Sequence, residues 1–111
     1  MKILNDESLP IELKNEFKDL EVFTVNDMKW LGKKNGELLT LAVDKDFDVF
    51  IIVVKNLKYQ LNIKKYKISI IVLDIVRTKQ EFIKPLIKNI RDLFSKIKPY
   101  EIHVVNAISN E

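Results

Sequence analysis

Val49-Phe50-Ile51-Ile52-Val53-Val54 and Ile68-Ser69-Ile70-Ile71-Val72-Leu73 are two nearly unbroken apolar runs in a short chain. Neither alternates with polar residues, as a strand with one wet face would. Strands that are apolar on both sides belong to parallel sheets whose two faces are covered by helices. Working outward from them, Lys2-Ile3-Leu4-Asn5 reads as a short first strand, Glu21 to Val25 as a second, and Glu101 to Val105 as the last. Helical spacing fills the gaps. Ser8 and Pro10 suit the N-cap and first turn of a helix that carries Leu13 and Phe17 four residues apart. A second helix starts at Asn35 or Gly36 and runs through Leu38, Leu39, Leu41 and Ala42. Phe82, Leu86, Ile90, Leu93 and Ile97 mark the longest amphipathic helix. A short helical or irregular stretch passes through Leu57, Tyr59 and Leu61. The alternation predicts an α/β fold: a mostly parallel sheet of about five strands, right-handed crossovers and helices on both faces.

The 111 residues suffice for one domain, 1–111, and no Gly/Ser/Pro-rich linker divides them. There is no Cys and a single His, His103, so disulfide scaffolds, thiolate zinc sites and cysteine nucleophiles are excluded. Two Gly cannot form a P-loop or a dinucleotide fingerprint. His103 falls inside the last strand, which suits a structural or surface role. No apolar run approaches a membrane span, and the first residues lack the pattern of a secretory leader, so the expected compartment is the cytoplasm. The net charge of +3 rests on 17 Lys against only 2 Arg. Arg is the usual residue for bidentate phosphate recognition, so the basic balance permits nucleic-acid binding without arguing for it.

Sites in parallel sheets form at the carboxyl ends of the strands. Four acidic residues fall there by sequence: Asp6 and Glu7 after the first strand, Glu37 in the first turn of the second helix, and Asp74 after the fourth strand. Carboxylates converging from separate elements are what a hard divalent cation requires. The plainer reading makes Asp6-Glu7 a turn and leaves Glu37 solvated beside the helix dipole.

Lys2-Ile3-Leu4-Asn5-Asp6-Glu7-Ser8-Leu9-Pro10 resembles the opening of short PIN-like (VapC-like) ribonuclease domains, where an apolar strand leads into Asp-Glu-x-Leu-Pro. The resemblance continues through Val22-Phe23-Thr24-Val25, Met28-Lys29-Trp30-Leu31-Gly32 and Lys34-Asn35-Gly36-Glu37-Leu38-Leu39. It extends through Phe47-Asp48-Val49-Phe50, Asn56-Leu57-Lys58-Tyr59-Gln60-Leu61-Asn62 and Ile70-Ile71-Val72-Leu73, so that nearly the whole chain is covered. It implies a three-layer α/β sandwich and a Mg²⁺- or Mn²⁺-dependent endoribonuclease. It also implies the toxin half of a toxin–antitoxin module, with RNA as substrate, a small antitoxin encoded nearby, and a homodimer. Asp6 matches the first metal-binding acid and Glu37 the helix acid, with Glu7 and Asp74 as further ligand candidates. Asn35 stands where many relatives carry another acid, and Lys55 and Asn56 match their basic residue and Asn.

One position departs from the pattern. Relatives carry an Asp directly before that basic residue; here it is Val54, and Ile52 stands where they often have Thr. Val cannot coordinate a metal or orient a water. Two functions therefore follow from the resemblance: a ribonuclease with an altered site, or a catalytically inactive module that binds RNA or a protein partner. In the second, Lys33-Lys34, Lys55, Lys58 and Lys64-Lys65 are candidates for a basic rim, against the plainer reading of a solvated Lys-rich surface. Trp30 and Leu31 are either an exposed anchor or a loop folded back onto the second helix.

Overall fold

The computed structural model describes residues 1–53, 65–75 and 79–106. Five strands form one all-parallel sheet: β1 (Lys2–Asn5), β2 (Glu21–Thr24), β3 (Val49–Val53), β4 (Ser69–Asp74) and β5 (Ile102–Asn106). Their order across the sheet is β2-β1-β3-β4-β5. Helices α1 (Glu12–Asn15), α2 (Asn35–Asp44), α3 (Gln80–Ile83) and α4 (Ile87–Phe94) lie on the two faces, giving the three-layer α/β architecture expected from the apolar runs. The stretch through Leu57, Tyr59 and Leu61, and the positions Val54, Lys55, Asn56, Lys58 and Lys64, lie outside the described residues.

β3 is buried at every position, and β4 at every position except Asp74. Alternation then divides their side chains between two cores. Ile51, Val53, Ile71 and Leu73 pack with Leu13 and Phe17 of the α1 region and with Ile83, Leu86 and Ile90 of the α3–α4 region. Phe50, Ile52, Ile70 and Val72 pack with Leu38, Leu39 and Ala42 of α2, together with Trp30 and Phe47. Each fully buried aliphatic side chain contributes roughly 1.5–3 kcal/mol, so both layers are needed to hold the central strands. Trp30 is 8% exposed and meets Phe47 edge to face at 6.1 Å, so its loop does fold back on the α2 layer, while Leu31 stays exposed.

Two helices differ from their sequence expectation. The first is a single turn that begins at Glu12, with no side-chain cap. Ser8 is not its N-cap; its hydroxyl donates instead to Asp6 Oδ2 at 2.6 Å. The long amphipathic helix is broken into α3, a 3₁₀ turn at Lys84–Leu86 and α4. Pro85 is the cause, because its ring clashes with the preceding turn and it lacks an N–H for the α-helical ladder.

The last crossover also departs from expectation. β1→β2 moves one way across the sheet with α1 on one face, and β2→β3 moves the other way with α2 on the opposite face, so these two units share a hand. β4→β5 moves in the same direction as β2→β3, yet α3 and α4 lie on the α1 face. Its hand is therefore the reverse of the other two. Right-handed crossovers are strongly favoured, and these three units cannot all have that hand. On that face the one-turn α1 and the broken α3–α4 arm pack together against the apolar side chains of β3 and β4, with Phe94 edge to face on Phe17 at 5.2 Å. Arg91 ties the two helical regions together through Asp19 and the Glu16 carbonyl.

Candidate functional site

The sheet order places a topological switch point at β1, whose two neighbours β2 and β3 are reached by connections that diverge to opposite faces. Asp6 follows β1 at that point. Its N–H donates to Ile51 O at 2.9 Å, so the β1–β3 ladder continues through it and holds its backbone. The side chain is 5% exposed. Its Oδ2 accepts from the Ser8 hydroxyl at 2.6 Å and from the Ser8 N–H at 3.4 Å, while Leu9 N–H returns to Asp6 O at 3.1 Å. This is a tight Asx-type turn, in which the short acidic side chain satisfies backbone and hydroxyl donors two residues on. Glu7, next along, is exposed.

Asp6 and Glu7 line, with Leu9, Ile11, Thr24 and Leu31, an open depression of about 250 Å³ at the carboxyl edge. Its apolar rim is prominent, since Ile11 is 67% and Leu31 54% exposed. The β2 side of the depression is braced by Asp27. Its Oδ2 accepts from Thr24 N–H at 2.9 Å and from Lys14 Nζ at 2.8 Å, and its own N–H donates to Thr24 Oγ1 at 2.9 Å. The Lys14 ammonium, followed by the Thr24 N–H, holds the Asp27 carboxyl below its ordinary value.

Glu37 lies in the first turn of α2, where a carboxylate complements the helix dipole. Its side chain is 61% exposed and lies 3.8 Å from Lys33 Nζ. It lines a second depression with Lys33, Thr40, Leu41 and Tyr66. Asp74 ends β4 and is exposed. β3 lies between β4 and β1, and Asp74 is two residues beyond the position level with Asp6, so their backbones stand more than two strand spacings, or about 10 Å, apart. Asn35 opens α2. Of the basic-rim residues that are described, Lys33, Lys34 and Lys65 are exposed. His103 lies in β5 and pairs with Glu101 at 3.1 Å, holding that carboxyl below its ordinary value; no catalytic partner is needed to explain it.

Asp6, Glu37 and Asp74 thus share the carboxyl edge, with Asp6 and Glu37 lining separate depressions. Among the described residues no three acids or histidines lie close enough to hold a metal ion. Sequence reasoning passed over two residues here. Ser8, read as a helix cap, is the group that orients Asp6. Asn5 is 1% exposed, and neither its Nδ2 nor its Oδ1 has a hydrogen-bond partner among the described residues. An Asn closing the run Ile3-Leu4 was the legible signal. No family model, curated protein or solved structure matches the chain.

Proposed function

We propose that this chain is a PIN-like domain of the ribonuclease type with an altered carboxylate site, acting in the cytoplasm as the toxin-type member of a toxin–antitoxin pair. The observation that carries the reading is Asp6. The residue that matches the family's first acid is a buried carboxylate at the switch point of a parallel sheet, oriented by Ser8 and facing a depression. Glu37 and Asp74 are on the same edge and supply further negative charge. A divalent ion, Mg²⁺ or Mn²⁺, supplies phosphoryl polarisation and a hydroxide nucleophile in chemistry of this kind. The described donors do not by themselves form a set that would hold one, so no catalytic step is assigned to it here. What the chain's own groups do is narrower: Ser8 fixes the Asp6 carboxylate, and Lys33 offsets the charge of Glu37.

A second reading is favoured by that same spread of acids together with Val54. In it the domain has kept the fold and lost hydrolysis, and it binds RNA or a protein partner. The exposed Lys33, Lys34 and Lys65 then contribute to an RNA-binding rim, and affinity falls steeply with salt as counterions are displaced.

One experiment separates the two. A mixed RNA pool is incubated with Mg²⁺ or Mn²⁺ and wild type, Asp6→Asn or Val54→Asp. Cleavage by wild type that Asp6→Asn abolishes supports the ribonuclease. An inert wild type with an active Val54→Asp supports the binding module. Cleavage that survives Asp6→Asn, or inactivity of all three, refutes the PIN-like assignment of the site.

A further inference from the structure

Asn5 is the last residue of β1, and strand alternation turns its side chain away from α2. Ile3, two residues back on β1, and Ile51, the register partner of Asn5 on β3, both belong to the α1-side core, and Asn5 follows the same parity. The amide is thus enclosed in an apolar layer at 1% exposure, with neither polar atom bonded to any of the described residues. A buried amide left in that condition costs about 1–3 kcal/mol, and native proteins rarely tolerate it.

The nearest polar candidate by register is Thr24, which pairs with Asn5 across β1 and β2. Thr24 Oγ1 accepts from Asp27 N–H at 2.9 Å, which leaves its own proton available to donate. Parallel strands lie about 4.8 Å apart, so the Asn5 amide and the Thr24 hydroxyl project side by side from one face of the sheet, within reach of one bridging water. Thr24 is half-buried and lines the depression beside Asp6, so the position is reachable from solvent.

We propose that Asn5 and Thr24 form a binding site for one ordered water molecule at the carboxyl ends of β1 and β2. The water donates to Asn5 Oδ1 or accepts from Nδ2, and accepts from the Thr24 hydroxyl. Buried waters of this kind bond to two to four polar groups and are retained as part of the structure. The site is independent of any nuclease activity, and it fixes the strand end from which Asp6 projects.

Water-selective NOE and ROE spectra of uniformly labelled protein, read at the Asn5 side-chain amide protons, test it. Wild type should show a water cross-peak whose NOE has the sign of a long-lived contact. Thr24→Val should abolish that long-lived contact, and Thr24→Ser, which keeps the hydroxyl, should retain it. Thr24 lies near the surface, and the amide spectrum reports that each variant is folded. Absence of the cross-peak in folded wild type, or its persistence in Thr24→Val, overturns the proposal.

Discussion

The reversed hand of the last crossover makes a quantitative demand on two phenylalanines. Phe17 follows α1 and is fully buried; Phe94 ends α4, 77 positions further along the chain, and their rings meet edge to face with centroids 5.2 Å apart and planes at 72°. If α4 lay on the α2 face, as a crossover with the hand of the other two requires, the sheet would stand between them. Aromatic pairs in this geometry are coupled by about 0.5–1.5 kcal/mol beyond the area they bury. The perturbation is a double-mutant cycle of Phe17→Leu, Phe94→Leu and the double variant, with Leu chosen so that the core stays filled. Urea unfolding gives each stability. The double variant should be less destabilised than the sum of the singles by about 1 kcal/mol. For a domain of this size that is roughly 4 °C in melting temperature. Residues on opposite sides of a sheet add within about 0.3 kcal/mol. Additivity to that level would refute the placement of α4, and with it the reversed crossover.

Three further outcomes follow from local geometry. Arg91→Glu sets like charges against Asp19, with which Arg91 is paired, and should lower the melting temperature; adding Asp19→Lys should recover part of the loss, and no recovery would deny the α1–α4 contact. Gly32 sits at φ +83° with nothing near its Cβ position, so Gly32→Ala should cost about 1 kcal/mol from backbone strain alone, and a neutral result in chemical denaturation would contradict that φ. Asp27 is held below its ordinary 3.8 by Lys14 and the Thr24 N–H, so its contribution is present above that value and is lost as pH falls toward the folded-state value. The stability gap between wild type and Asp27→Asn should therefore be constant near neutrality and close below about pH 4; a gap that widens in acid would reverse the sign.

Much of this molecule is legible along the chain because burial on both faces leaves a one-dimensional trace. The apolar runs that became β3 and β4 had to be interior strands, and the spacing of Leu86, Ile90, Leu93 and Ile97 had to present one apolar side; Phe82, read as part of that side, is 41% exposed, and Ile83 takes the core position instead. The break at Pro85 was missed, because the apolar spacing runs on through a proline that cannot continue the helical ladder. Asp6 and Glu37 could be assigned to the carboxyl edge from the order of elements alone, because every parallel strand delivers its end to that side.

What the chain alone did not determine are relations between segments distant in sequence. Ser8 satisfies the local rule for a helix cap, but a stronger partner two residues back, the Asp6 carboxylate, takes its hydroxyl. That competition is decided by where β1 ends against β3. The acids lie on one edge yet apart, because strand order, not strand content, sets β3 between Asp6 and Asp74. The apolar stripe of α3–α4 would suit either face of the sheet equally well. Which face receives it is a relation between elements that exists only once the strands are side by side, and here the stripe packs with Leu13 and Phe17 on the α1 face.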